Sequence, residues 1–296
     1  MRGTVLRPFD GSFDDAHDIL LVDRATFAEC PYSVAQIVAL LADGSQHIWL
    51  AEADGEPAGF VSAFATHTLR GLGWEVDLLA VRPEYRRRGI ARALVRMAVA
   101  GAAGSDAERS RAVVAAENHA SRRAFEAAGF CPRPEQVHLM RCHSLRQTGR
   151  RSVPGETVVR RLTGEAEAHD LLRLAPETAC DPKRVVELLK TGGSTFFLAG
   201  REDASVALME LVHVRTLLYA GAWIETMVAP GPGEAAALIA AAVEWGRDQG
   251  WDEIGCLAPL ADRQLRRVLA GQGFRSEGLY RVMERTLSFT FHGRVI

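Results

Sequence analysis

Lysine is almost missing from this chain. Lys183 and Lys190 are the only two in 296 residues, and arginine carries the rest of the positive charge. The 35 basic and 37 acidic residues leave a formal charge of -2. No basic field exists to hold a phosphodiester backbone, so nucleic acid is not an expected partner. Cysteine is scarce and odd in number: Cys30, Cys131, Cys142, Cys180 and Cys256, with no C-x-x-C. That excludes a disulfide framework and points to a reducing cytoplasm. No run of about 18 apolar residues occurs, and Met1–Pro8 lacks the apolar core of a signal peptide, so neither a transmembrane helix nor a membrane partner is expected. The nine histidines form no H-E-x-x-H, and Cys131, His138, Cys142 and His143 lack zinc-ligand spacing, so no metal is expected. A Walker A pattern is absent as well. What remains is ordinary globular composition, 48% apolar and 24% charged, at a length that suits two domains.

The order of elements is readable. Residues 3–8 fit a strand and 14–29 a helix. Ser33 is placed to cap a second helix through Leu41. Strands are expected at 48–53 and 58–65, joined by the hairpin signal Asp54-Gly55-Glu56-Pro57, and at 74–81. A helix over 89–103, a strand over 111–116, a helix over 120–128 and a strand over 137–142 follow. The acidic run Asp10, Asp14, Asp15, Asp18 and Asp23 reads as a solvated helix face with charge at its N-terminus. Residues 144–155 are polar and read as a linker. After it the pattern restarts: Val158–Arg161 echoes Val5–Pro8, Trp223–Val228 echoes Trp74–Val81, and Gly273-Phe274 echoes Gly129-Phe130. The offset falls from 154 (Arg7 to Arg161) through 147 (Val81 to Val228) to 144 (Gly129 to Gly273), as a duplication with small deletions would give. The expected division is 1–143, a linker at 144–155, and 156–296.

Chemistry concentrates after the strand ending at Val81. Arg86-Arg87-Arg88-Gly89-Ile90-Ala91 opens directly into an amphipathic helix. Helix-start amides lack acceptors, the helix dipole favours an anion there, and arginine forks suit phosphate oxygens. Gly89 allows a tight turn and Ala91 stays small. A diphosphate is the ligand this unit suits.

The stretch Leu79–Ala91, with Arg86, Gly89 and Ala91 in the pattern [Arg/Gln]-x-x-Gly-x-[Gly/Ala], resembles motif A of the GNAT-superfamily N-acetyltransferases. Asn118-His-Ala-Ser-Arg-Arg-Ala-Phe125-Glu-Ala-Ala-Gly-Phe130 is similar to their motif B. The resemblance implies an α/β (α+β) architecture: two GNAT-like domains, each a mixed, mostly antiparallel twisted sheet flanked by helices with a splayed central strand pair. It implies acetyl-CoA as co-substrate, with pantetheine along Leu79, Ala80 and Val81 and the diphosphate on Arg86, Arg87, Arg88, Gly89, Ile90 and Ala91. Asn118 and Phe125 would lie beside the pantetheine. The implied reaction is acetyl transfer to a primary amine, of a small molecule or a peptide, by direct attack. The Val81 amide would stabilise the oxyanion. Glu75, six residues before Val81, is the first choice of base and Asp77 the second. Simple alternation puts Glu75, Asp77, Leu79 and Val81 on one side, and a bulge would change that phase. Many members place a tyrosine acid where Phe125 stands, and Tyr32 is a possible substitute.

The second half has no such turn. Ala229-Pro-Gly-Pro-Gly is about three residues shorter, and position 222, six before Val228, is alanine. It reads as a degenerate copy without cofactor chemistry. Gly231-Pro-Gly-Glu-Ala-Ala236 formally matches a dinucleotide fingerprint, but Asp252 opens the next strand instead of ending it, and a Gly/Pro-rich helix entry explains the match. The alternative function is a non-catalytic acyl-CoA sensor. A monomer and a homodimer fit equally.

Overall fold

The computed structural model describes residues 3–27, 32–145, 157–164, 168–178, 182–201 and 204–287. The first half runs β1 (Thr4–Pro8), α1 (Phe13–Thr26), α2 (Val34–Leu41), β2 (Gln46–Ala53), β3 (Glu56–Thr68), β4 (Gly71–Val81), α3 (Ile90–Gly101), β5 (Arg109–Ala115), α4 (His119–Glu126) and β6 (Cys131–His143). The second half repeats that order as β7 (Val158–Arg161), α5 (Ala168–Leu174), α6 (Pro182–Thr191), β8 (Ser194–Arg201), β9 (Ala204–Arg215), β10 (Ala220–Val228), α7 (Pro232–Asp248), β11 (Glu253–Pro259), α8 (Arg263–Gly271) and β12 (Arg275–Thr286). Among the described residues no helix is long and apolar enough to cross a membrane.

Local chemistry sets the element ends. Ser12 accepts from the Asp15 amide to start α1, and Ser33 with Gln36 forms a capping box on α2. Asp54 and Gly55 both take positive φ, the two-residue turn that a right-twisted hairpin favours. The helix expected over 14–29 ends at Thr26, and 28–31 lie outside the described residues. The last strand of the first half starts at Cys131 instead of Val137. Its added part holds Pro132 and Pro134 and pairs only with β12, so prolines cost the ladder little there. Asp15 is not solvated: it is buried and paired to Arg7 at 2.6 Å.

Among the described residues, all strands join one twelve-stranded sheet in the order β1-β2-β3-β4-β5-β12-β6-β11-β10-β9-β8-β7. The two halves interleave at its centre. β5 pairs with β12, β11 pairs with β6, and β6 and β12 pair with each other. The cores exchange accordingly. Met283 and Leu287 are buried with α3 and α4, while Met140, Cys142 and Leu145 are buried with α7. Most of the expected linker, 146–156, lies outside the described residues, but Leu145 is fully buried and its amide donates to the Asp252 carbonyl at 3.2 Å.

Hairpins exchange too. Leu69, between β3 and β4, is buried in the second half's α5–α6 core, and its amide donates to the Glu210 carboxylate at 2.9 Å. Leu217, between β9 and β10, packs on the α1–α2 core, and its amide donates to Gln46 Oε1 at 2.9 Å. The two leucines stand 148 apart. The same offset relates the bulges in β4 and β10, since Ser62 faces Leu78 as Glu210 faces Thr226.

Candidate active site

The turn after β4 spans 82–89 and contains a 3-10 turn over Pro83–Tyr85. Arg87 (φ 65°) and Gly89 (φ 82°) take left-handed backbone, and Gly89 caps α3 with no side-chain bond. The first intrahelical bond from this end runs from the Ala93 amide to the Gly89 carbonyl. The amides of Ile90, Ala91 and Arg92 therefore have no intrahelical acceptor. The arginines divide their work. Arg86 Nε donates to the Val81 carbonyl at 3.0 Å. Arg88 pairs with Asp54 at 2.7 Å and lies over the buried Tyr85 ring. Arg87 is exposed. Two of the three side chains thus brace the turn.

β4 and β5 pair in parallel only from Gly73 to Glu75, opposite Arg109 to Arg111, and then splay. The Arg82 amide donates to the Ala58 carbonyl, and Ala80 faces Phe60 in register. Alternation then turns the Leu79 and Val81 amides away from β3 and into the gap. Ala80, expected beside them, has its main chain toward β3 and its side chain in the α1–α2 core.

Asp77 is the bulged residue of β4, because Ala63 faces Val76 while Ser62 faces Leu78. The bulge overturns the simple alternation. Before it Trp74 and Val76 pack toward α3; after it Leu79 and Val81 do. Glu75 consequently lies on the opposite face from Leu79 and Val81.

That face closes on a cavity of about 350 Å³ between the halves, with Glu75 and Asp77 in its wall. Glu75 accepts from Arg111 Nε at 2.8 Å and Thr66 Oγ1 at 3.3 Å. Arg111 also donates both terminal nitrogens to Glu225 of the second half, at 2.9 and 2.8 Å. Asp77 accepts from Ser62 Oγ at 2.5 Å and Gln46 Nε2 at 3.2 Å. Burial pushes Glu75 up despite Arg111, and pushes Asp77 up despite its neutral donors. Burial acts on Glu225 the same way, but Arg111 outweighs it and holds this carboxyl below its ordinary range.

Sequence reasoning missed Arg111, Gln46, Ser62 and Glu225. Glu225 offered a signal, a lone carboxylate within the apolar strand Trp223–Val228. Counting back from Val228 led instead to Ala222. By strand register Glu225 is the counterpart of Asp77, since each is the bulged residue.

The remaining expected residues fall elsewhere. Asn118 caps α4, accepting from the Ser121 amide at 3.1 Å. Phe125 is buried edge-on to Phe130, so it belongs to the core. Tyr32 is half-buried and packs on the α1–α2 core.

The second half's counterpart turn is only 229–231, five residues shorter than 82–89 rather than about three. Gly231 caps α7, and Pro232 follows with no amide hydrogen to offer. Glu234 Oε2 lies 3.0 Å from where a Gly231 Cβ would stand, so a carboxylate already sits over this helix start.

Residues 13–130 match the acetyltransferase (GNAT) family. No curated protein sequence matches this chain. Several solved structures are similar over nearly its whole length. A GCN5-related N-acetyltransferase from Sphaerobacter thermophilus is 16% identical with a TM-score of 0.64, covering 96% of this chain and 95% of that one. A tandem GNAT protein from the clavulanic acid biosynthesis pathway is 17% identical with a TM-score of 0.57, covering 97% and 99%. A GCN5-related glucosamine N-acetyltransferase region of a fungal multi-domain GH3 beta-N-acetylglucosaminidase is 16% identical with a TM-score of 0.62; 95% of this chain aligns with 38% of that longer one. Residues 13–130 therefore resemble a domain of the acetyltransferase (GNAT) family, and the whole chain has the fold of tandem GNAT proteins.

Proposed function

We propose that this chain transfers an acetyl group from acetyl-coenzyme A to a primary amine by direct attack in a ternary complex, with the donor held by the first half. One observation carries this reading: the start of α3, with no side-chain cap and three amides that lack an intrahelical acceptor, opens beside a splayed strand edge. The Ile90, Ala91 and Arg92 amides with Arg87 suit a diphosphate. The open edge at Leu79 and Val81 suits the amides of a pantetheine arm. The bound donor would supply a thioester carbonyl, and the Val81 amide, turned away from β3, would donate to the negative charge that develops on its oxygen.

A base must take a proton from the amine. Glu75 shares a cation with Glu225, whereas the donors to Asp77 are neutral groups, with no arginine among them. This reverses the sequence-based order: Asp77 takes the proton and Glu75 sets the field beside it. With Phe125 in the core, the thiolate leaves to water without a protein acid.

Calorimetry with coenzyme A, followed by thiol release from acetyl-coenzyme A over a panel of amines, tests the reading. Coenzyme A should bind, and at least one amine should turn over. Asp77→Asn should lower kcat by about 100-fold or more, as loss of a general base does. The raised Asp77 pKa places the acidic limb of kcat/KM above the ordinary carboxylate range, because activity is lost as pH falls through it; Asp77→Asn should remove that limb. A larger loss in Glu75→Gln would return the role to Glu75. No coenzyme A binding by the folded chain would end the proposal, and binding without turnover would leave a sensor.

A further inference from the structure

Between the halves, the cavity wall combines two chemistries. Glu75, Asp77, Arg111 and Glu225 gather at the bulges of β4 and β10, while Phe64, Val212, Val214, Leu218, Trp223 and Tyr280 supply an apolar and aromatic remainder. A volume of about 350 Å³ is at the low end for ligand sites, the scale of one ring and a short chain.

The charges are unbalanced toward the negative. Arg111 faces two carboxylates, Glu75 and Glu225. Arg141, the other arginine of the wall, also faces two, Glu253 at 2.6 Å and Glu277 at 3.2 Å, and it lies over the Tyr219 ring. Each arginine is thus already paired with two carboxyl groups, His143 shares both partners of Arg141 at 3.1 and 2.8 Å, and the donors to Asp77 add no further cation. A ligand carboxylate would find both guanidinium groups already paired twice, with Arg141 Nε the one spare donor, which is costly in a desolvated site. A single cation is welcome next to Asp77. A second cation on the same ligand would find only carboxylates that arginines already hold, Glu225 and Glu277.

Trp223 extends the apolar wall beside Glu225, two residues along β10. A Cβ on Gly255 would lie 2.7 Å from its indole ring, so the ring rests directly on the Gly255 backbone. Only a glycine leaves room for it there. The Trp223 side chain and the β9–β10 hairpin residues Thr216 and Leu218 all come from the second half.

We infer that the acceptor is a compact primary amine with an apolar, aromatic-sized body and no carboxylate, and that the second half builds the wall that selects it. This rests on the acetyl-transfer reading above. An ammonium head beside Asp77 loses one proton to that carboxylate, its nitrogen adds to the thioester carbonyl, and as the C–S bond breaks the second nitrogen proton passes through water to the departing thiolate. The body lies against Trp223 and Val214.

The test uses the full chain with acetyl-coenzyme A and four probes: 2-phenylethylamine, L-phenylalanine, spermidine and a short peptide with a free N-terminus. The kcat/KM for 2-phenylethylamine should exceed that for L-phenylalanine by about 100-fold or more, the cost of an unpaired buried carboxylate. Trp223→Ala should raise KM for 2-phenylethylamine by about 10-fold, as loss of an aromatic anchor does, and should leave coenzyme A affinity unchanged. Equal or better turnover of L-phenylalanine, spermidine or the peptide overturns the inference and leaves the acetyl-transfer reading standing. So does an unchanged KM in Trp223→Ala. Coenzyme A binding with no turnover of 2-phenylethylamine overturns it as well. Failure to bind coenzyme A is the separate result that removes both readings.

Discussion

The two halves share an element order, a bulge and an exchanged hairpin, and differ most at one turn. After β4 the chain spends eight residues, 82–89, turning into α3, and leaves the helix amides open. After β10 it spends three, 229–231, and meets α7 with a proline and a nearby glutamate. Copying a fold preserved the strand register and the packing. It did not preserve the open helix start, because that depends on a few backbone angles and on what fills the first turn. The second half keeps a carboxylate at its bulge, yet Glu225 faces Arg111 of the first half. Its remaining polarity serves the shared cavity.

The sharpest way to break this comparison is the same change in both turns. Gly89→Asp puts a carboxylate at the α3 start and should weaken coenzyme A binding by about 100-fold or more, since an anion there competes with the diphosphate. Gly231→Asp should leave that affinity unchanged. Calorimetry on both variants decides, and equal losses would mean that both turns bind.

The exchanged hairpins give a smaller contrast. Leu69 is buried and Leu217 only partly so. Leu69→Ala should cost about 3 kcal/mol in denaturant unfolding and Leu217→Ala about 1 kcal/mol, in proportion to the buried volume removed. A reversed order would show that the second half's hairpin holds the halves together.

The smallest effect concerns Glu210. Burial raises its pKa from 4.5 to about 7, against the bonds from Leu69 and Thr226, which lower it. The folded state then binds this proton more tightly than the unfolded state. Stability should fall as pH rises from about 4.5 to 7, with the loss complete above that window. Glu210→Gln should flatten this dependence and raise Tm by about 5 °C at pH 8, with a smaller change at pH 5. Equal destabilisation at both values would mean that Glu210 is ionised in the fold.

Much of the fold was legible because it is written in local patterns. Ser33 before an apolar run, Asp54-Gly55 between alternating strands and Gly89 before an amphipathic helix each name their own structure. The restart at Val158 gave the duplication. The candidate site was legible only where one segment builds it, at 79–91. Arg111 and Glu225 look like ordinary strand residues until β5 and β10 face one cavity. Phe125 fell at a family motif position, but helical spacing does not say whether a ring turns to a ligand or to Phe130.

By itself the sequence determined the element order, the repeat and the helix start that suits an anion. All of these depend on neighbours within a few residues, through caps, turn angles and amphipathic spacing. Only the tertiary structure decided that β12 lies beside β5, that a bulge puts Glu75 and Val81 on opposite faces, and that the second half walls the cavity. Those facts depend on which distant strands share hydrogen bonds, and strand pairing leaves no spacing signature along the chain.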